Sequence, residues 1–367
     1  MQKLLTIIRW IVGLLFIFSG LVKANDPLGL SYKMQEFFEA WHLQSLNDYT
    51  LTLSLVMNVF EVLAGVAIIV GYRMRLFSWL LLLLILFFTF LTGYASLSGK
   101  FRSCGCFGDC LPLTPIQSFG KDLALLLLIV IIFINRRKIK PLFKNVIVSV
   151  FILLCSVFAV SFAQAYVLKR LPFVDCLPYK VGNNLLEQMK VPPGAVPDSF
   201  SVTFKYLKLG KAVEFDAQHF PEDFNDSTYK YVDRYDKLIR KGNATPAIVD
   251  FALKTRVGTD TTQDILNQSN EYVLAFIKDF DNWNSQKTSF EKMLAGVQQR
   301  KLPFFVVTAS PDDAEKLIPQ GITILTCDAT VIKTAARVNA TYFLMKGATV
   351  LRKYSYLDAD KLLVTGY

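Results

Sequence analysis

"LALLLLIVIIFIN", Leu123 to Asn135, is the stretch on which the architecture turns. A helix needs roughly 20 residues to cross about 30 Å of hydrocarbon, and this apolar run is shorter than that. It spans only if the preceding turn, "PIQSFGKD" (Pro115 to Asp122), lies within the membrane surface, which puts Lys121 and Asp122 at a protein-lined mouth. With it the chain crosses five times and its ends lie on opposite sides. Without it the chain crosses four times and both ends share a side.

Four neighbouring runs need no such help: Leu4 to Val22, Leu51 to Val70, Leu76 to Tyr94 and Val146 to Val167 each approach the spanning length. Lys and Arg collect in cytoplasmic loops, and here they form three groups. Lys3 and Arg9 flank the start of the first run, Arg73 and Arg75 separate the second and third, and "RRKIKPLFK" places Arg136, Arg137, Lys138, Lys140 and Lys144 before the last. All three groups face one side only in a five-span arrangement with a cytoplasmic N-terminus. Residues 24–50, the loop at 96–118 and everything after about residue 168 then lie on the outer face. The expected location is a bacterial inner membrane with a periplasmic C-terminal domain. The first run lacks a small-residue cleavage site and continues into "SGLVKANDP", so it reads as a retained anchor rather than a signal peptide.

Composition agrees with this division. The chain is 53% hydrophobic and 19% charged, too apolar for an ordinary soluble protein, and the excess lies before about residue 165. Of the 40 basic and 30 acidic residues, 14 and 7 fall in the membrane part and 26 and 23 in the rest, so most of the net charge of +10 is topological. Nucleic acid is excluded as a partner class. The lipid bilayer and an envelope client or redox partner are the expected contacts.

"SCGCFGDC", residues 103–110, puts three of the six cysteines in one outer loop, in an oxidising compartment shared with Cys176 and Cys327. Three readings compete. Cys104 or Cys106 pairs with Cys110 as a staple, the odd thiol pairing with Cys176. Alternatively Cys104, Cys106 and Cys110 form an exchange relay, in which a thiolate attacks a disulfide and a neighbouring thiol resolves it. The third is capture of a soft metal ion, against which the only two histidines, His42 and His219, lack ligand spacing. Cys155, alone in the last span, reads as a small packing residue.

Ionisable residues inside spans are costly and need an account. Glu61 falls near the middle of the second span with Asn58 one turn earlier on the same face. It reads either as a proton site or quinone-facing acid, or as a neutral acid hydrogen-bonded across helices. Asp122 lies just below the cysteines, as a second proton-handling group or as a partner of Lys121 or Lys23. Arg9 is expected to snorkel to the surface. "SYKMQEFFEAWHLQSL" aligns Met34, Phe37, Phe38 and Trp41 on one side of a short interfacial helix, a roof over the bundle.

"SCGCFGD" between the third and fourth spans, "FSGLVKANDPLG" closing the first, and "NVFEVLAGVAIIVGYRMR" in the second resemble the DoxX and methylamine-utilisation MauE group over about residues 1–140. The resemblance implies a four-helix membrane bundle tied to envelope redox chemistry, and for MauE a part in disulfide formation during maturation of an exported enzyme. A fifth span (141–168) departs from it.

Beyond "VPPGAVP" a hairpin, "SVTFKYLKL" and "KAVEF", turns at Gly210 within an extension spanning residues 169–244. From residue 245 onward strands alternate with helices: "EYVLAFIKDF", "NSQKTSFEKMLAGVQQRK", "LPFFVVTAS", "PDDAEKLIPQ", "GITILTC", "ATVIKTAARV", and a closing hairpin "ATYFLMKGATVLRKYSY". This predicts a small α/β sheet with covered faces. The order, led by "PAIVDFALKTRVGTDTTQDIL", is similar to thioredoxin-like domains of the TlpA and peroxiredoxin-like type. Their C-x-x-C is replaced by "DFDNWNSQ", with Asp281 and Asn284 in its slots, and Ala340 stands where their proline precedes Thr341. The similarity therefore implies a docking module without thiol chemistry, and Cys327 reads as a semi-buried structural cysteine. Two functions remain open: a membrane thiol-disulfide component, and a non-enzymatic assembly protein with structural disulfides only.

Overall fold

The computed structural model describes residues 2–99, 101, 104–197, 199–216, 219–225, 227–240, 242 and 244–364, with the backbone alone at 237–240. Lys100, Arg102 and Ser103 of the cysteine loop lie outside the described residues. The chain forms two compact units, Met1–Gly182 together with Ala252–Tyr367, and Asn183–Phe251.

The first unit opens with α1 (Gln2–Asn25) and the short α2 (Pro27–Ala40). A 3-10 turn leads into α3 (Thr50–Val70), followed by α4 (Met74–Ser98), α5 (Pro115–Ile134) and α6 (Val146–Lys169). All but α2 belong to the five helices long and apolar enough to cross a membrane. The short apolar run reaches spanning length because its helix starts early. Thr114 accepts from the Gln117 N–H while the Gln117 side chain accepts from the Thr114 N–H, and Pro115 occupies the first turn. "PIQSFGKD" is thus the first two turns of a 20-residue helix and not a turn before one.

α1 and α3 meet through small residues. A Cβ added at Gly13 would lie 2.9 Å from the Gly65 carbonyl oxygen, and one at Gly65 2.7 Å from that of Gly13, so only glycine permits this backbone approach. Val12, Ala64, Ile68, Leu81 and Ile129 fill the interior. α6 joins through Asn58, whose amide donates to Gln164 Oε1 at 3.0 Å, and the rest of α6 is largely exposed. Cys155 is exposed on α6 and does not pack into the bundle as expected, because it points away from the face that carries Gln164. Arg9 is also corrected: instead of snorkelling it is buried, donating from Nη1 to the Lys140 carbonyl at 2.9 Å.

The second unit contains α7 (Leu185–Gln188) and a three-stranded sheet of β1 (Ser199–Lys208), β2 (Lys211–Asp216) and β3 (Tyr229–Arg240), in the order β2-β1-β3. Leu209 and Gly210 both take positive φ in the two-residue hairpin turn, the geometry that matches strand twist. β3 was not anticipated, although Tyr229, Tyr231 and Tyr235 alternate along it.

The C-terminal part of the first unit contains α8 (Thr262–Leu266), β4 (Glu271–Ile277), α9 (Trp283–Gln299), β5 (Phe304–Thr308), α10 (Pro311–Leu317), β6 (Thr323–Thr326), α11 (Ala329–Ala335), β7 (Thr341–Lys346) and β8 (Thr349–Ser355). The strand order is β6-β5-β4-β7-β8, with β4, β5 and β6 parallel and β7 and β8 antiparallel. Tyr272 to Ile277 are all fully buried, as a central strand covered on both faces requires. The architecture is the expected one, a membrane bundle followed by an α/β domain.

Candidate functional site

The cysteine loop is held from three sides. Gly105 and Gly108 adopt positive φ, closing a turn in which the Gly108 N–H donates to the Gly105 carbonyl at 3.0 Å. Phe101 stacks on Phe37 of α2 with centroids 4.3 Å apart, and Phe107 sits 5.8 Å from Phe18 of α1 with the Lys121 ammonium 4.9 Å above its ring. The Ser19 hydroxyl donates to the Cys106 carbonyl at 3.1 Å. α2 roofs this end of the bundle as expected, with Phe37 buried beneath it.

Cys110 is bonded to Cys176, with Cα atoms 4.8 Å apart. This corrects the expectation of a staple within the loop: Cys104 and Cys106 are both free, as are Cys155 and Cys327. The reason lies beyond the loop. Asn25 at the end of α1 donates to the Val174 carbonyl at 2.8 Å and accepts from the Val174 N–H at 3.1 Å, so the chain leaving α6 is drawn to the same end as Cys110. Cys104 turns inward, packed with Phe37, Ala95 and Phe101. Among the described residues no group of three or more His, Cys, Asp or Glu is arranged to hold a metal ion.

Burial pushes the Cys104 thiol up to about 11, the neighbouring Cys106 adding to the effect, and burial raises Cys106 as well. The thiolate is the reactive form. Iodoacetamide labelling of Cys104 is therefore expected to accelerate by about tenfold per pH unit from pH 7 through pH 10. Peptide mass spectrometry reads the rate, and a plateau below pH 9 would contradict the buried thiol.

Two ion pairs lie beneath the loop. Asp122 is 1% exposed, bonded to Lys121 Nζ at 2.6 Å and accepting from the Thr92 hydroxyl at 3.0 Å. Lys23, 3% exposed, is bonded to Glu61, which is fully buried, and lies 4.9 Å from the Phe88 ring centroid. The sequence offered Lys121 and Lys23 as alternatives for Asp122. The structure gives Lys121 to Asp122 and Lys23 to Glu61, so Glu61 is bonded across helices, to the ammonium carried by α1. Lys23 as partner of Glu61 was missed. Its signal was the only cation inside the "SGLVKAND" end of α1, one helix away from an unexplained acid. Among the described residues Glu61 Oε2 has no hydrogen-bond partner.

Between roof and bundle lies an apolar cavity of about 170 Å³, whose walls include Lys23, Met34, Phe38, Phe88, Cys104 and Cys106. Cys104, Cys106 and the cation of the Glu61 pair thus face one chamber.

The α/β domain touches this loop through two buried cations. Arg337 donates from Nε to Asp26 Oδ2 and from Nη2 to Asp109 Oδ2, each at 2.8 Å, and its guanidinium lies 5.5 Å from the Tyr32 ring centroid. Lys353 donates to Asp175, next to the disulfide, at 2.7 Å. Burial opposes the charge of Arg337, yet Asp26 and Asp109 outweigh it and hold the guanidinium above its ordinary range. Burial lowers Lys353 despite Asp175. Nothing in the local sequence marked either residue. Asp281 and Asn284 are exposed at the start of α9, with no thiol beside them, and the Asn339–Ala340 peptide is cis. Cys327 is buried after β6, and burial pushes its thiol up to about 11.

Residues 1–135 match the family model described as methylamine utilisation protein MauE, and residues 200–241 match a Domain of unknown function (DUF8463). No curated protein and no solved structure matches the chain. The first match covers α1 to α5 with the cysteine loop between them and stops at the end of α5. The chain is a membrane protein with five candidate spans, MauE-like through the fourth, which continues into a fifth candidate span and an α/β domain.

Proposed function

We propose that the protein is a thiol-disulfide component of the bacterial inner membrane, acting in envelope redox or in maturation of exported proteins. The observation that carries this reading is the pair of free thiols, Cys104 and Cys106, on the wall of an apolar cavity, with the Cys110–Cys176 disulfide following in the same loop. The basic groups at Lys3, Arg73, Arg75 and Arg136 to Lys144 support an N-terminus in the cytoplasm and a cysteine loop in the periplasm. The strand order β6-β5-β4-β7-β8 supports a thioredoxin-like fold for residues 245–367, with residues 169–244 an extension between it and the spans. Lacking C-x-x-C, that domain presents the client, and Arg337 and Lys353 keep it at the loop.

The half-exposed Cys110–Cys176 disulfide takes electrons from a client dithiol, which leaves oxidised. The two thiols so formed are reoxidised by a disulfide between Cys104 and Cys106, whose sulfurs become thiols in turn. Returning that pair to the disulfide releases two electrons and two protons. A bound quinone supplies the two-electron, two-proton sink. The cavity suits such a ring: an apolar cavity of about 150 Å³ holds benzene, and here Phe38 and Phe88 flank it beside the Lys23 ammonium. Glu61 and Asp122, each ion-paired below the thiols, receive and pass on the protons.

A second reading, a non-enzymatic scaffold, is favoured by the raised thiols and by the buried clamp at Arg337. One experiment separates them. The purified full-length protein is reduced, freed of reductant and kept anaerobic with or without decylubiquinone. The redox reading expects the Cys110–Cys176 bond to return only with quinone, and not in the Cys104→Ser, Cys106→Ser double variant. Equal return in the double variant, or none with quinone in the wild type, leaves the scaffold.

A further inference from the structure

The opposite end of the bundle holds a second cavity, of about 270 Å³, between the first two turns of α1 and the connection from α5 to α6. Its walls include Gln2, Thr6, Arg9, Lys138 and Lys140. The segments that carry these residues and the helices beside them, 1–25, 62–108 and 123–174, contain no Asp or Glu to balance these cations. Lys138 and Lys140 are exposed and by themselves would be a solvated basic loop. Arg9 is different. It is only 6% exposed, its Nη1 is used by the Lys140 carbonyl, and its Nε is buried with no hydrogen-bond partner among the described residues. The C-terminus of α3 lies alongside, since a Cβ at Gly71 would come within 3.2 Å of Arg9 Nη1. That helix end favours a cation there but gives Nε no acceptor. A buried donor left unsatisfied is unfavourable, and a guanidinium is built to meet a tetrahedral oxyanion with two adjacent N–H groups.

We infer that this cavity binds a phosphate oxyanion, with Arg9 at its floor and Lys138 and Lys140 at its rim. The phosphate is that of an anionic phospholipid headgroup or the free ion. Basic pockets between membrane helices hold lipid headgroups in this way, each cation near the surface contributing about a fivefold gain in affinity.

Native mass spectrometry of the detergent-purified full chain, titrated with dioleoylphosphatidylglycerol, dioleoylphosphatidylcholine or inorganic phosphate, tests this. The expected result is selective retention of phosphatidylglycerol, weakened about tenfold in Arg9→Gln by loss of the charged bond and about fivefold in Lys138→Gln. Should inorganic phosphate alone bind with the same dependence on Arg9, the oxyanion site stands and its source is the free ion. Lys138 is exposed, so Lys138→Gln decides the matter if Arg9→Gln does not fold. Unchanged phosphatidylglycerol binding in Lys138→Gln and in any folded Arg9→Gln protein, or equal binding of phosphatidylcholine, overturns the inference.

Discussion

Replacing Lys23 by Met is expected to destabilise the bundle by about 3–5 kcal/mol, because it leaves a carboxylate buried without its cation. The pair sits 3% and 0% exposed, and among the described residues Glu61 Oε2 has no partner, so removing Lys23 takes away the donor the structure gives this acid. Glu61→Leu alone strands the ammonium of Lys23, and the cost should be of the same size. The double variant, Lys23→Met with Glu61→Leu, removes both charges and fills the space with apolar atoms, so most of the loss should be recovered. Thermal or denaturant unfolding in detergent compares the four proteins. If the double variant is as unstable as the sum of the singles, the two groups do not act as a pair. The same double variant separates stability from function, since it keeps the helices joined while removing Glu61 as a proton acceptor.

The second large effect concerns Cys176→Ser. The Cys110–Cys176 bond closes a separation of 66 residues that includes α5 and α6, and the chain-entropy relation gives roughly 4 kcal/mol for a loop of that length. Its loss frees the segment leaving α6 from the cysteine loop, although other ties of that segment remain, among them those to Asn25 and Lys353 and the Arg170–Asp358 ion pair. Reducing the wild type with dithiothreitol should lower the unfolding midpoint to that of the variant, and the variant itself should not respond. A wild type indifferent to reductant would mean that the bond constrains little. Cys104→Ser should behave like the wild type, as its thiol is unbonded.

The residues that announced the site did so because each was chemically out of place. Three cysteines in one short loop, and Glu61 and Asp122 within apolar helices, stand out against their neighbours with no knowledge of the fold. Their partners carried no such mark. Lys23 looked like an ordinary cation at a helix end, Cys176 like any cysteine after a span, and Arg337 like one of many arginines in the α/β domain. β3 was legible in the alternation of its tyrosines, and the true start of α5 in the Thr114–Gln117 capping pair. Both signals are weak beside the long apolar runs, which carry far more hydrophobic contrast.

What the sequence determined alone is whatever depends on neighbours within a few turns. Five apolar lengths, their basic flanks, the alternation of strand and helix, and the anomalous side chains are all local, since hydration and helix periodicity act over that range. What only the tertiary structure decided is which of these groups meet. Lys23 finds Glu61 because the close glycine contact of α1 and α3 fixes the rotation of one helix against the other. Arg337 reaches Asp26 across 311 positions because a folded domain carries it there. Contacts of that kind are set by how whole elements pack, and so no single stretch of sequence records them.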